Sequence, residues 1–439
     1  MPSALTRENV RMGWAFLAVS LVGAWFTVNA YRPSRRWQLL ALSFFAGWFT
    51  AELAVFHIVW QVAATIVFVW LGALDTWPGI AGLVITAASW AGLLWLQLVS
   101  SRAGRVMEEA LRTGLGPDYR DEIAPGLAER LARRTSRRNL LLPFYLRDRR
   151  VERVKDIRYA PGGGSRHLLD VWRPKAGVNR APVLFQIHGG GWMIGDKAQQ
   201  ALPLMLHVAA QGWVCAAANY RLSPRVAFPD HLIDCKLALR WIREHVAEYG
   251  GDPDFIVVTG GSAGGHLAAL LALTPNDPEY QPEFEYADTS VSACVPFYGV
   301  YDLVDTFDPH DRAGPRGERL GNWMARRIVG ASIDEDRERF VRSSPINHVG
   351  PHAPPFFVIH GSRDNLVPVE QARGFVTALR EQSRQPVLYA ELPGASHAFE
   401  VFHSVRTEHV VNGVERFLAW LHSAYQARRP DVPAEPVDT

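Results

Sequence analysis

The sequence predicts an α/β domain with a mostly parallel central sheet, preceded by an all-α transmembrane region. Three observations carry this. Residues 12 to 99 hold only five charged side chains (Arg32, Arg35, Arg36, Glu52 and Asp75) and nine of the fifteen tryptophans. From about residue 152, short apolar runs alternate with amphipathic stretches, the pattern of buried strands and covering helices. The whole-chain averages (48% hydrophobic, 21% charged, net charge +2 over 439 residues) look like one ordinary globule only because they blend these two regions. The averages exclude a disordered or collagen-like chain, and without a basic surplus they give no support for a nucleic-acid partner. The chain divides into a transmembrane helical region (1–100), a basic amphipathic connector (101–151), the α/β domain (152–428) and a disordered, proline-rich tail (429–439).

The first apolar run, residues 12–31, is chargeless and 20 residues long. As a helix it rises about 30 Å, which matches the hydrocarbon core. Val28-Asn29-Ala30 loosely resembles a signal-peptidase site, but the length of the run and the apolar segments after it favour an uncleaved span. A basic loop, RPSRR, follows. Residues 37–74 are too long for one span and read as a short helix (37–53), a break near Glu52 to His57, and a span (57–74). After a turn at Asp75-Thr76-Trp77-Pro78-Gly79 comes a last run, 80–99. The count is three spans, or four if 37–53 also crosses. Positive charge favours a multi-pass membrane protein with its C-terminal bulk in the cytoplasm. With three spans, Arg32, Arg35, Arg36, Arg102, Arg105 and Arg112 lie on that side, against Arg7 and Arg11.

The connector has apolar residues at helical spacing (Val106, Ala110, Leu111). Ten basic residues against two acidic ones between Arg130 and Lys155 surround the apolar run Leu140–Leu146. Three readings stay open: a segment lying on anionic membrane lipids, a segment packed on the α/β domain, or part of a lid. The insert at 305–345 is charged and has no assigned role. Cys215, Cys235 and Cys294 form no disulfide or metal-ligand pattern and read as buried small hydrophobes.

Predicted strands in the α/β domain are 182–187, 213–218, 255–259, 291–297, 355–359 and 387–392, with helices over 231–248, 263–273 and 368–382. Gly260-Gly261-Ser262-Ala263-Gly264 stands between a strand-like and a helix-like segment. That is the context in which G-x-S-x-G lifts a serine above a sheet on a sharp turn. His188-Gly189-Gly190-Gly191-Trp192 follows another strand, and its glycines leave backbone N–H groups free to face a developing oxyanion. No GK[ST] follows, which argues against a phosphate loop.

A serine hydroxyl needs a base, and the base needs an acid to orient it. In the chain order Ser, Asp/Glu, His, Asp364 is the best-placed acid, in the loop after the strand 355–359. Asp302 and Asp305 are weaker candidates. His397, just past the strand 387–392, is the preferred base over His403, His409 and His422, which fall in the final helical stretch.

Taken together, HGGGW, the GGSAGG elbow, HGSRDNLVP, GASHAF and the YRLSP element at 220–224 resemble the hormone-sensitive-lipase-like branch of the α/β-hydrolase family, in its membrane-bound bacterial form. The resemblance covers about 165–425. It implies an α/β-hydrolase fold, carboxylesterase or lipase activity on a lipid-like or small ester, no cofactor, and a helical cap over the site. Ser262 matches the nucleophile, His397 the base and Asp364 its orienter. Gly189, Gly190 and Ala263 would supply oxyanion N–H groups. Gly261 departs from the family, which often has Asp before the serine. Two other functions stay open: acyl transfer by the same triad, and a catalytically inactive hydrolase fold acting as a receptor or scaffold.

Overall fold

A computed structural model describes residues 7–34, 39–131, 136–306 and 314–428. Arg35 and Arg36 of the basic loop, residues 307–313 of the insert and the tail 429–439 lie outside the described residues.

Eight strands form one sheet: β1 (Val151–Arg158), β2 (Leu168–Pro174), β3 (Ala181–Ile187), β4 (Val214–Ala218), β5 (Gly251–Gly261), β6 (Ala293–Phe297), β7 (Phe356–Gly361) and β8 (Val387–Leu392). Their spatial order is β1-β2-β4-β3-β5-β6-β7-β8. Only the β1–β2 and β2–β4 pairs are antiparallel, so the sheet is mostly parallel, as predicted. The six predicted strands are β3 to β8. The two strands the sequence reading lacked, β1 and β2, form the antiparallel end of the sheet. β1 (VERVKDIR) is an edge strand with charge along much of its length, the composition that blunts an open edge and hides it from a search for apolar runs.

The central strands are buried on both faces, which is why they read as continuous apolar runs. On β3, Val183, Phe185 and Ile187 face one core and Leu184 the other. Helices α7 (Asp230–His245), α8 (Ala263–Leu273) and α9 (Val369–Gln382) cover the first face. The opposite face is covered by α5 (Ala103–Leu115), α6 (Leu202–Ala210) and α10 (Val405–Ala427). Ala103, Met107 and Leu111 of α5 are buried in that second core, with Tyr119 and Ile123 beyond. This part of the connector therefore packs on the α/β domain. Leu141, Leu142 and Phe144 further along are exposed.

The N-terminal helices are α1 (Arg7–Tyr31), α2 (Leu40–Glu52), α3 (Ala54–Trp70) and α4 (Trp77–Ser101). α1 and α4 run side by side in the same direction. Asn9 meets Asp75, Ser20 meets Thr86 and Thr27 meets Ser89, the last two at 2.9 and 2.7 Å between hydroxyls. Small residues at this seam let the backbones approach and hydroxyls bond across it, as in membrane helix pairs. α3 runs the opposite way along α1: Phe68 stacks on Phe16 and His57 lies against Phe26. Trp14, Leu21, Val59, Ile66, Val84 and Leu98 point outward and are exposed. Among the described residues two helices are long and apolar enough to cross a membrane, and a third crossing arises if the bent pair α2–α3 counts as one span. α2, at 13 residues, is about 20 Å long, shorter than the hydrocarbon core.

Candidate active site

β5 ends at Gly261 and α8 begins at Ala263, so Ser262 alone makes the turn from strand to helix. Its backbone has φ 58° and ψ −123°, a conformation that persists for a residue with a side chain only when its surroundings impose it. Ser262 N–H donates to Phe297 O at 3.0 Å, and a Cβ on Gly264 would lie 2.1 Å from Ile187 O. Without a side chain at 264, α8 can start against the end of β3. The glycine at 261 has its own cause. A Cβ there would stand 2.6 Å from the Tyr298 hydroxyl, so Tyr298 occupies the space an aspartate would need.

Asp364 follows β7 and His397 follows β8, both at the C-terminal edge of the sheet, where open α/β sheets place their sites. His397 Nδ1 donates to Asp364 Oδ2 at 2.6 Å. Asp364 Oδ1 accepts the backbone N–H groups of Leu366 and Val367 at 2.9 and 2.8 Å. One oxygen is thus fixed by the backbone and the other is aimed at the imidazole. Burial opposes the Asp364 charge, but His397 and His360 beside it outweigh burial and hold its carboxyl well below the usual range. The second imidazole, His360, lies 3.4 Å from Asp364 Oδ2 and its Nε2 is 3.0 Å from Val367 O. It is the first residue of HGSRDNLVP, at the end of the strand leading to Asp364.

Two further residues belong to no motif: Tyr298, which meets His397, and Glu400 behind it. The Tyr298 ring lies 4.4 Å from the imidazole, centroid to centroid, and its hydroxyl donates to buried Glu400. Tyr298 thereby touches both the histidine and the serine elbow. Burial pushes the Glu400 carboxyl up to about 7, against the opposing effect of the Tyr298 hydrogen bond.

The glycine loop lies directly against the elbow: a Cβ on Gly189 would be 3.1 Å from Ser262 Cβ. One expectation changes here. Gly189 N–H, expected to face the oxyanion, donates instead to Gln200 Oε1 at 2.7 Å in this structure. Among the described residues, the N–H groups of Gly190, Gly191 and Ala263 have no such acceptor. Ala263, as the first residue of α8, has no carbonyl in its own helix to bond. The YRLSP element backs this loop. The Tyr220 ring stacks on His188 and its hydroxyl donates to His188 O at 3.0 Å, while Arg221 pairs with Asp234.

The weaker candidates are engaged elsewhere. Asp305 accepts from Gln371, His403 Nδ1 is 2.7 Å from Glu408, and His422 packs among Trp213, Phe255 and Tyr425. Among the described residues no group of three or more His, Cys, Asp or Glu could hold a metal ion.

A mostly parallel sheet with a serine elbow between β5 and α8, and an Asp–His pair on the loops after β7 and β8, defines an α/β-hydrolase. The BD-FAE family model matches residues 169–379. The chain is 44% identical to the probable carboxylic ester hydrolase LipM of Mycobacterium tuberculosis, over 95% of this chain and 96% of that protein. It is 43% identical to esterase LipQ of the same organism, over 75% of this chain and 77% of that one. Esterase B from Lactobacillus rhamnosis has the same fold, with a TM-score of 0.54 at 23% identity, covering 64% of this chain and 89% of that one. The chain belongs to the hormone-sensitive-lipase-like family of α/β-hydrolases, with LipM and LipQ, and is a carboxylic ester hydrolase.

Proposed function

We propose that the protein is a membrane-anchored serine esterase that hydrolyses lipid-like carboxylic esters through an acyl-enzyme. The observation that carries this is the 2.6 Å Asp364–His397 hydrogen bond on the loops beside the Ser262 elbow. Asp364 holds the Nδ1–H tautomer, which leaves Nε2 to take the Ser262 hydroxyl proton as Oγ attacks the ester carbonyl. The tetrahedral oxyanion is met by the N–H groups of Gly190 and Ala263, where one preorganised donor is worth about 3 kcal/mol. Collapse expels the alcohol, which takes the proton from His397. A water then gives its proton to His397 and attacks the acyl-enzyme, releasing the acid and restoring Ser262. Anchoring is supported by α1, α4 and the bent pair, and a greasy substrate by the apolar surface around them.

Ser262→Ala tests the mechanism. Ester hydrolysis and covalent labelling by a fluorophosphonate are both expected to vanish, and wild-type-like hydrolysis by this variant would refute the assignment. Asp364→Asn is expected to lower kcat by roughly 10⁴-fold with the fold intact, because the imidazole loses its tautomer control.

A further inference from the structure

Helix α2 belongs by composition to the membrane region, yet it is fastened to the loop that carries His397. Residues four apart lie on one face of a helix, and Phe44, Trp48 and Glu52 form such a stripe. The Phe44 ring is 6.3 Å from the His397 imidazole, and Trp48 is 5.1 Å from Phe402, centroid to centroid. Glu52 accepts from Ser404 Oγ at 2.8 Å and pairs with Arg406. Successive turns of α2 therefore track residues 397 to 406 of the hydrolase domain. Other residues of α2 are open: Leu42 and Phe45 are 59% and 51% exposed. Exposed Phe144 of the connector touches both Phe49 and Phe402, extending this apolar rim. α2 and α3 meet at 92°. With α3 running along α1, α2 lies across the end of the bundle, between the bundle and the active site.

We propose that α2 is the roof of the active site, lying in the plane of the membrane surface, and that Phe44 is a specificity-determining residue for the acyl chain of the ester. An ester leaving the bilayer passes the apolar rim at Phe45 and Phe144 and lays its chain against Phe44 and Trp48, with its carbonyl at Ser262. Glu52, held by Ser404 and Arg406, keeps the roof in place. The inference rests on the Ser262–His397 reading of the site.

The test uses the full chain in lipid nanodiscs, with p-nitrophenyl butyrate and p-nitrophenyl laurate as short and long esters. Phe44→Leu and Phe44→Trp are each expected to shift the laurate-to-butyrate ratio of kcat/KM by roughly tenfold, mainly through KM, the usual scale for a pocket contact of one or two methylenes. Val59→Ala, on the outward side of α3, is expected to leave the ratio alone. If both Phe44 variants are labelled by fluorophosphonate like the wild type but keep the ratio within about twofold, the roof has no part in specificity and the proposal falls. Should Ser262→Ala still hydrolyse butyrate, the triad fails instead, whatever the Phe44 variants do.

Discussion

Glu400 is a buried carboxyl two contacts away from the reacting atoms, bonded to the Tyr298 hydroxyl whose ring packs on His397. Its carboxyl titrates near 4.5 in an ordinary setting and is pushed up to about 7 by burial. Between those values the native state keeps a proton that the unfolded chain has released. The stabilisation from this group is therefore complete below the lower value and is lost as pH rises through the upper one. Glu400→Gln is neutral throughout, so its stability relative to wild type is expected to rise with pH across that window. The gain is about 3 kcal/mol at most, from 1.36 kcal/mol per pKa unit. Thermal unfolding at pH values on either side of the window measures it, and a pH-independent difference would count against a raised carboxyl. Gln200 acts at the other side of the site. Gln200→Leu removes the acceptor of Gly189 N–H, and an unsatisfied donor costs about 1–3 kcal/mol. Because that bond ties the glycine loop to residue 200, kcat is expected to fall roughly 10–100-fold, with a smaller change in KM. Gln200→Glu retains an acceptor and is expected to recover most of the loss.

At the scale of elements, α2 illustrates how a single buried pair ties two regions together. Glu52 and Arg406 are 354 positions apart and both are buried. Replacing Glu52 by Gln strands the Arg406 charge, a change that costs about 3–5 kcal/mol in buried pairs, whereas the double replacement Glu52→Leu with Arg406→Met removes both charges and is expected to cost far less. Unfolding of the full chain in detergent distinguishes the two. The pair also marks where sequence reasoning stops. β3 to β8 were legible because strands buried on both faces must be continuously apolar, and the Asp364–His397 contact was legible because strand-end loops of one sheet edge converge. Tyr298, Glu400, Gln200 and Phe44 reach the site from separate elements, with no local pattern to announce them. The commitment of Gly189 N–H was equally hidden, since its acceptor lies eleven residues on, in a stretch without a motif.

For the whole molecule, the helix directions bear on where the enzyme works. α1 and α4 are parallel and α3 is antiparallel to them, the directions that three membrane crossings would require. The α1 N-terminus and the turn at 71–76 then share one side, joined by the Asn9–Asp75 contact. The α1 C-terminus shares the other side with the hydrolase domain, where Arg363, the neighbour of Asp364, stacks over Tyr31. If the three helices cross a membrane in this way, a cytoplasmic hydrolase domain is expected from the arginine count, because Arg32, Arg35, Arg36, Arg102, Arg105 and Arg112 outnumber Arg7 and Arg11. Cysteine labelling can read this directly, since Cys215, Cys235 and Cys294 are all buried and leave a low background. A membrane-impermeant maleimide added to intact cells is expected to label Leu71→Cys at the turn, and to label Arg147→Cys in the connector only after permeabilisation. The reverse pattern would place the active site outside the cell. Labelling of both in intact cells would break the three-span arrangement itself, and with it the case for a roof lying on the inner leaflet.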